Sequence, residues 1–245
     1  TGSERASQLA MKRERVSSST NSSKVALITG GSRGQGAAHA RRLAADGAVV
    51  YIADVLDEVG EAEASRLQAD GLDVTYLHLD ISDEDSWQSA VKTIEVERGR
   101  LDVLVNNAGV SVFGPTDEAS YDDFDWIMGV NFGGVVNGQV SFLPKIKAHQ
   151  EGGHVINIAS MAAFCAGPQA GIYTASKFAV RGMTECLRFN LAPYGIGVSL
   201  VCPGLTKSNA WDSALKRPEG FGDSGFGAPD RAALEQFGTA FDLGM

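Results

Sequence analysis

From Lys24 onward, unbroken apolar runs alternate with helical stretches, and no other feature limits the fold so tightly. KVALIT, AVVYIA, DVTYLHL, LDVLV, GHVINIA and GIGVSLV read as six strands. Continuous apolar runs of that length suit strands covered on both faces. Between them the spacing predicts a helix in AAHARRLAADG, ended by Gly47, and others from about Asp57 to Ala69 and from about Asp83 to Arg98. A long helical region follows from about Asp117 to Ala148, and another helix runs from Tyr173 to about Leu191. Crossovers of this kind are right-handed, so the chain is expected to be α/β, a doubly wound parallel sheet with helices on both faces. Ligands of such sheets bind outside the carboxyl ends of the strands, and there the unusual residues of this chain gather.

The length of 245 residues suits one large domain, taken as residues 23–245. With 44% hydrophobic residues it can bury a sizeable core, and a net charge of -9 argues against nucleic acid or an anionic membrane as partner. The chain has no apolar run long enough to span a membrane. Residues 1–22 are polar, lack the apolar core of a secretion signal, and read as a disordered tail. Cys165, Cys186 and Cys202 have no metal-ligand spacing; no metal is expected. Their apolar or small neighbours suggest buried free thiols, which fits a reducing cytoplasm.

The first strand runs into TGGSRGQG, which contains Gly30, Ser32, Arg33, Gly34, Gln35 and Gly36. Glycines there let the backbone turn sharply and approach a pyrophosphate at the positive end of the next helix. The second strand ends in Asp54, followed by Val55. A carboxylate at that point can accept hydrogen bonds from the adenosine ribose and repels a 2′-phosphate, which favours NAD over NADP. Arg33 argues the other way, since its guanidinium can reach such a phosphate. After the third strand, Asp80 and Ile81 stand at the adenine end, although Asp80 equally suits a helix cap. NNAG supplies Asn107, Ala108 and Gly109, expected both to tie strands together and to pass close to the cofactor.

GIYTASKF places Tyr173 and Lys177 four residues apart, one turn along a helix face. Ser160 ends the fifth strand, and Asn131 lies in VNFGG, where paired glycines loosen the backbone. Together with TGGSRGQG and NNAG, these residues resemble the short-chain dehydrogenase/reductase family, from about Lys24 to Thr206. The resemblance implies a Rossmann-type fold, a nicotinamide cofactor, and a catalytic tetrad of Asn131, Ser160, Tyr173 and Lys177. It further implies that Lys177 bonds the nicotinamide ribose, Ser160 holds the substrate oxygen, and Asn131 supports a water that links the lysine to solvent. Lowering a phenol from about 10 to 7 takes roughly 4 kcal/mol. The lysine and the oxidised nicotinamide are expected to supply it.

The segment from about 204 to 240 carries Pro and Gly together with Trp211, Phe221 and Phe226, and reads as a lid over a substrate pocket. Ser111, Phe113, Met161, Phe164, Cys165 and Leu205 are expected to border that pocket, with Lys207 as the only nearby cation. This apolar set favours a neutral secondary alcohol or ketone, cyclic or steroid-like. Pro203, Gly204 and Thr206 follow the sixth strand, where PGLTKSN departs from the family's usual register after PG. A seventh strand, often used by the family in dimer contacts, is not evident, and the chain is read as truncated or differently assembled. A homodimer or homotetramer paired through the helices around Asn131 and Tyr173 is still expected. The alternatives are a non-catalytic nucleotide-binding scaffold and a dehydratase or epimerase on the same frame.

Overall fold

The structure is a computed structural model that describes residues 23–206 and 209–243. The first 22 residues, read as a disordered tail, and Lys207 lie outside the described residues. Six parallel strands form one sheet in the order β3-β2-β1-β4-β5-β6. They are β1 (Val25–Thr29), β2 (Val49–Asp54), β3 (Val74–His78), β4 (Val103–Asn106), β5 (Gly153–Ile158) and β6 (Ile196–Val201). The helices are α1 (Gly34–Ala45), α2 (Asp57–Ala69), α3 (Glu84–Arg98), α4 (Tyr121–Met128), α5 (Gly134–Ala148), α6 (Gly171–Leu191) and α7 (Arg231–Leu243). Among the described residues no seventh strand joins the sheet, and no helix is long and apolar enough to cross a membrane.

Both faces of the sheet are covered, which is why its strands read as unbroken apolar runs. In β1, Val25 and Leu27 face one core with Trp87 of α3 and Phe142 of α5, whose rings meet edge to face at 6.0 Å. Ala26 and Ile28 face the other core, with Ala40 and Ala44 of α1 and Leu67 of α2. All five β1 residues are buried. The strand order reverses between β1 and β4, and the crevice there opens at the carboxyl ends of both strands.

The long helical region expected from Asp117 is broken into pieces. A short 3-10 turn covers Thr116–Glu118, and α4 starts only after Ser120. Ser120 accepts from the Asp123 N–H while the Asp123 carboxylate accepts from the Ser120 N–H, a reciprocal cap that fixes the helix start. One π-helical turn, Gly129–Gly133, then joins α4 to α5 and carries Asn131. The cysteines also differ from expectation. All three are free, but Cys165 and Cys186 are exposed and Cys202 is only partly buried, because helix and loop positions place them away from the two cores.

Candidate active site

The glycine turn is shaped by what it excludes. Gly30 takes φ of +64°, and a Cβ on Gly36 would lie 2.0 Å from the Gly30 carbonyl oxygen. Arg33 precedes α1 without capping it by its side chain, so the first N–H groups of the helix are left for an anion. Thr29 fastens this turn to the NNAG segment: its hydroxyl oxygen accepts from the N–H groups of Asn107 (3.0 Å) and Ala108 (3.1 Å). The Asn107 amide donates to the carbonyls of Thr29 and Gly30. Asp54 is held at the end of β2 by the N–H groups of Val55 (2.9 Å), Leu56 and Ser32. Asp80 accepts from the N–H and hydroxyl of Ser82, whereas Asp83 is the residue that caps α3. A glycine cradle, free helix N–H groups and a fixed carboxylate fit a dinucleotide whose ribose carries free hydroxyls.

A chain of buried amides sets the position of α6. The Asn106 side chain donates to Asn157 of β5 at 2.8 Å, and Asn157 donates to the Thr184 hydroxyl of α6 at 2.9 Å. At its other end, α6 is held by Asn131, which donates to the Ser176 hydroxyl and to the Val110 carbonyl while accepting from the Val110 N–H. Tyr173 and Lys177 therefore reach the crevice from a fixed helix. The Tyr173 phenol is hydrogen-bonded to Ser160, whose hydroxyl also accepts from the Ala162 N–H. Lys177 is 4% exposed, donates to the Ile158 carbonyl at 3.3 Å, and has its ammonium 5.6 Å from the centre of the Tyr173 ring.

The electrostatics differ from the sequence expectation in one respect. Burial pushes the Tyr173 phenol above its usual range, with the Ser160 hydrogen bond opposing it. Burial likewise pushes Lys177 down to about 8, against a small upward pull from Cys202. Desolvation thus outweighs the neighbouring cation in the protein by itself. A cavity of about 650 Å³ joins the two halves, from Gly30, Gly34 and Asp54 through Asn107 and Gly109 to Ser160, Tyr173 and Lys177.

Residues 24–219 match the family described as short chain dehydrogenase. The chain belongs to the short-chain dehydrogenase/reductase family. It is similar to a C alpha-dehydrogenase of Sphingobium sp., 39% identical over 203 residues, 82% of this chain and 67% of that protein. It is 37% identical to a cyclopentanol dehydrogenase of Comamonas sp. over 197 residues, 80% of this chain and 78% of the relative. Among solved structures, a Burkholderia phymatum short chain dehydrogenase/reductase in complex with NAD superposes with a TM-score of 0.84 at 34% identity. That match covers 90% of this chain and 79% of the other. These relatives make the protein an oxidoreductase of the family, acting on CH–OH groups.

Most of the residues singled out in this short-chain dehydrogenase/reductase share the one cavity. Arg33, Gln35, Gly36, Val55, Asp80, Ile81, Ala108, Pro203, Gly204 and Thr206 line it with those named above. Ser32 and Asn131 do not: Ser32 is buried behind the turn, and Asn131 is buried beneath Val110. Of the expected pocket residues, Ser111 and Phe221 line the cavity. Met161 and Phe164 are about half exposed and lie outside it, because the 3-10 turn Met161–Ala163 carries them outward, and Cys165 and Leu205 lie outside it as well. Phe113 packs on the Tyr173 ring at 5.9 Å, Phe226 fills the space over Gly114, and Trp211 lies against Gly238.

Four contributors were missed in the sequence. Trp126 and Val130 line the cavity from α4 and the π turn, where their spacing looks like ordinary helix core. Thr29 stands first in TGGSRGQG, a visible signal whose fastening role needs the fold to be seen. Asp212 is the fourth. It lies on a 3-10 segment, Ala210–Lys216, that closes one side of the cavity, and it binds Arg33 through two hydrogen bonds of 2.8 Å each. Gln35 also meets Thr206, and Ser111 donates to the Ala210 carbonyl at 2.6 Å.

Proposed function

We propose that this protein interconverts a neutral secondary alcohol and its ketone, using NAD, with Tyr173 as the proton-transfer group. The observation that carries this reading is the meeting of the Ser160 hydroxyl, the Tyr173 phenol and the buried Lys177 ammonium in the same cavity as the glycine cradle and Asp54. In the oxidising direction, Ser160 holds the substrate oxygen against the phenol, and the phenolate of Tyr173 accepts the hydroxyl proton. A nicotinamide dinucleotide held by the glycine cradle and Asp54 would supply the redox chemistry, as acceptor of the hydride from the carbinol carbon. Lys177 stabilises the phenolate by charge and presents donors to the cofactor ribose. Asn131 holds the start of α6 in place through Ser176, which fixes the aim of Tyr173.

Preference for NAD rests on Asp54, whose fixed carboxylate suits a ribose diol and repels a 2′-phosphate. The apolar part of the cavity, with Trp126, Val130 and Phe221 near Tyr173, suits a cyclic carbon skeleton. The similarity to a cyclopentanol dehydrogenase supports the same class. Residues 204–240 act as the substrate lid of the 23–245 domain. The exposed free thiols Cys165 and Cys186 suit a reducing cytoplasm, and the protein pairs with a second copy through α5 and α6.

The test is Tyr173→Phe. It removes the titratable group and keeps the ring, so NADH binding, read by fluorescence titration, should stay near wild type. Turnover of cyclic alcohols, followed by absorbance of the reduced nicotinamide, should fall by about 10²- to 10⁴-fold. Near-normal turnover would remove the phenol from the mechanism.

A further inference from the structure

The glycine turn holds a cation that its neighbours do not leave free. Arg33 stands at the entry to α1, close to the adenosine end of the cavity: the N–H of the preceding Ser32 reaches Asp54, and both Arg33 and Asp54 line the same wall. A guanidinium there is well placed for a ribose phosphate. In this chain, however, both terminal nitrogens of Arg33 are bound by Asp212. Asp212 belongs to the lid, 179 residues away along the chain. It is 13% exposed at its side chain and is also approached by Lys216 at 3.2 Å. The lid touches the glycine turn a second time where Gln35 meets Thr206.

We propose that Asp212 is a specificity-determining residue, holding Arg33 in a bidentate pair that latches the lid to the glycine turn and denies the guanidinium to a 2′-phosphate. This rests on the reading of the cavity as a nicotinamide dinucleotide site. Two carboxylates then act on cofactor choice by separate routes. Asp54 faces the ribose and repels the extra phosphate directly. Asp212 acts at a distance by occupying the one guanidinium that would compensate for it. A dinucleotide carrying the phosphate must compete with Asp212 for Arg33, and success opens the latch. One ion pair thus couples cofactor identity to closure over the substrate. Asp212 need not touch the cofactor, so it is a positioning residue.

Five proteins separate this from a merely structural role: wild type, Asp212→Asn, Asp212→Glu, Arg33→Met, and Asp212→Asn combined with Arg33→Met. Dissociation constants for NADH and NADPH are measured by fluorescence titration without substrate, and cleavage of the 204–240 segment by a low dose of protease is followed without cofactor. Asp212→Asn should improve NADPH binding relative to NADH by about tenfold, the size of one charge-assisted hydrogen bond. It should also speed lid cleavage. Asp212→Glu should restore the wild-type ratio, and the ratio should not respond to Asp212→Asn once Arg33 is Met. An unchanged ratio in Asp212→Asn, or the same gain in the Arg33→Met background, would overturn the proposal. A wild-type protein that binds NADPH more tightly than NADH would overturn the NAD reading instead, and one that binds neither would overturn the cavity assignment itself.

Discussion

Lys177 shows what the site demands of a single residue. Its ammonium is almost fully buried, with burial pushing it down to about 8 from an ordinary 10.5. Below pH 8 the folded protein keeps this charge out of water, at a cost of about 3 kcal/mol for a shift of that size. Between pH 8 and 10.5 the unfolded chain still holds a proton that the folded chain has shed, so stability rises with pH across that window. Above 10.5 both forms are neutral and the cost is gone. Lys177→Met, of similar length and without charge, should therefore raise unfolding stability in urea at pH 7 by up to about 3 kcal/mol. The gain should shrink towards zero by pH 10.5, while turnover is lost. An equal gain at both pH values would show that packing, not charge, was responsible. A site that destabilises its own fold in this way is kept for function, in line with the usual trade between stability and activity.

At the scale of elements, α4 and the segment proposed as the lid depend on one buried carboxylate. Asp123 is fully buried, and burial works against its charge. The N–H groups of Ser120 and Gly225, with the hydroxyls of Ser224 and Ser120, nevertheless hold its carboxyl below the usual range. Arg217 adds an ion pair at 2.7 Å and stacks near Trp126 and Phe221. Asp123→Ala removes the carboxylate half of the reciprocal cap of α4 and leaves Arg217 without its ion-pair partner, a loss of about 3 kcal/mol. Protease cleavage between residues 217 and 226 should then speed up more than cleavage elsewhere; a uniform change would deny Asp123 its anchoring role. Ser120 and Asp123 stand at capping-box spacing, a start signal that was passed over because the whole stretch from Asp117 to Ala148 read as one helical region. The six strands, α2, α3 and the end of α6 were legible because each rests on local periodicity and a local stop signal. The lid contacts were not, because Arg217–Asp123 and Arg33–Asp212 join segments about 94 and 179 residues apart and carry no periodic signature. The glycine turn was legible because it stands between a buried strand and a helix, whereas Asn131, Ser160, Tyr173 and Lys177 were picked out together by the family resemblance, with Asn131 on the π turn and Tyr173 and Lys177 on α6.

For the whole molecule, the proposed pairing with a second copy needs a surface to carry it. The sheet leaves β3 and β6 as its edges, and no described strand extends beyond β6. The helical layer offers another surface. Phe178 and Phe189 are 45% and 81% exposed, and eleven residues on an α-helix make three turns, so both side chains share one face of α6. The neighbouring α5, packed on α6 through Val135 and Val180, exposes Val140 at 70%. The α6 helix alone is about 30 Å long, so the two helices side by side approach the roughly 800 Å² that each partner buries in a stable dimer. Pairing there would rest on the far side of the helix that carries Tyr173 and Lys177, making the assembly a brace for the catalytic face. Phe189→Asp places a charge on this surface without touching the cavity. Sedimentation velocity should show its population shifted from dimer or tetramer to monomer at the same concentration, with turnover reduced as α6 loses its support. Wild type that sediments as a monomer at micromolar concentration would remove the proposed pairing, and a variant that keeps the wild-type assembly would move the interface elsewhere.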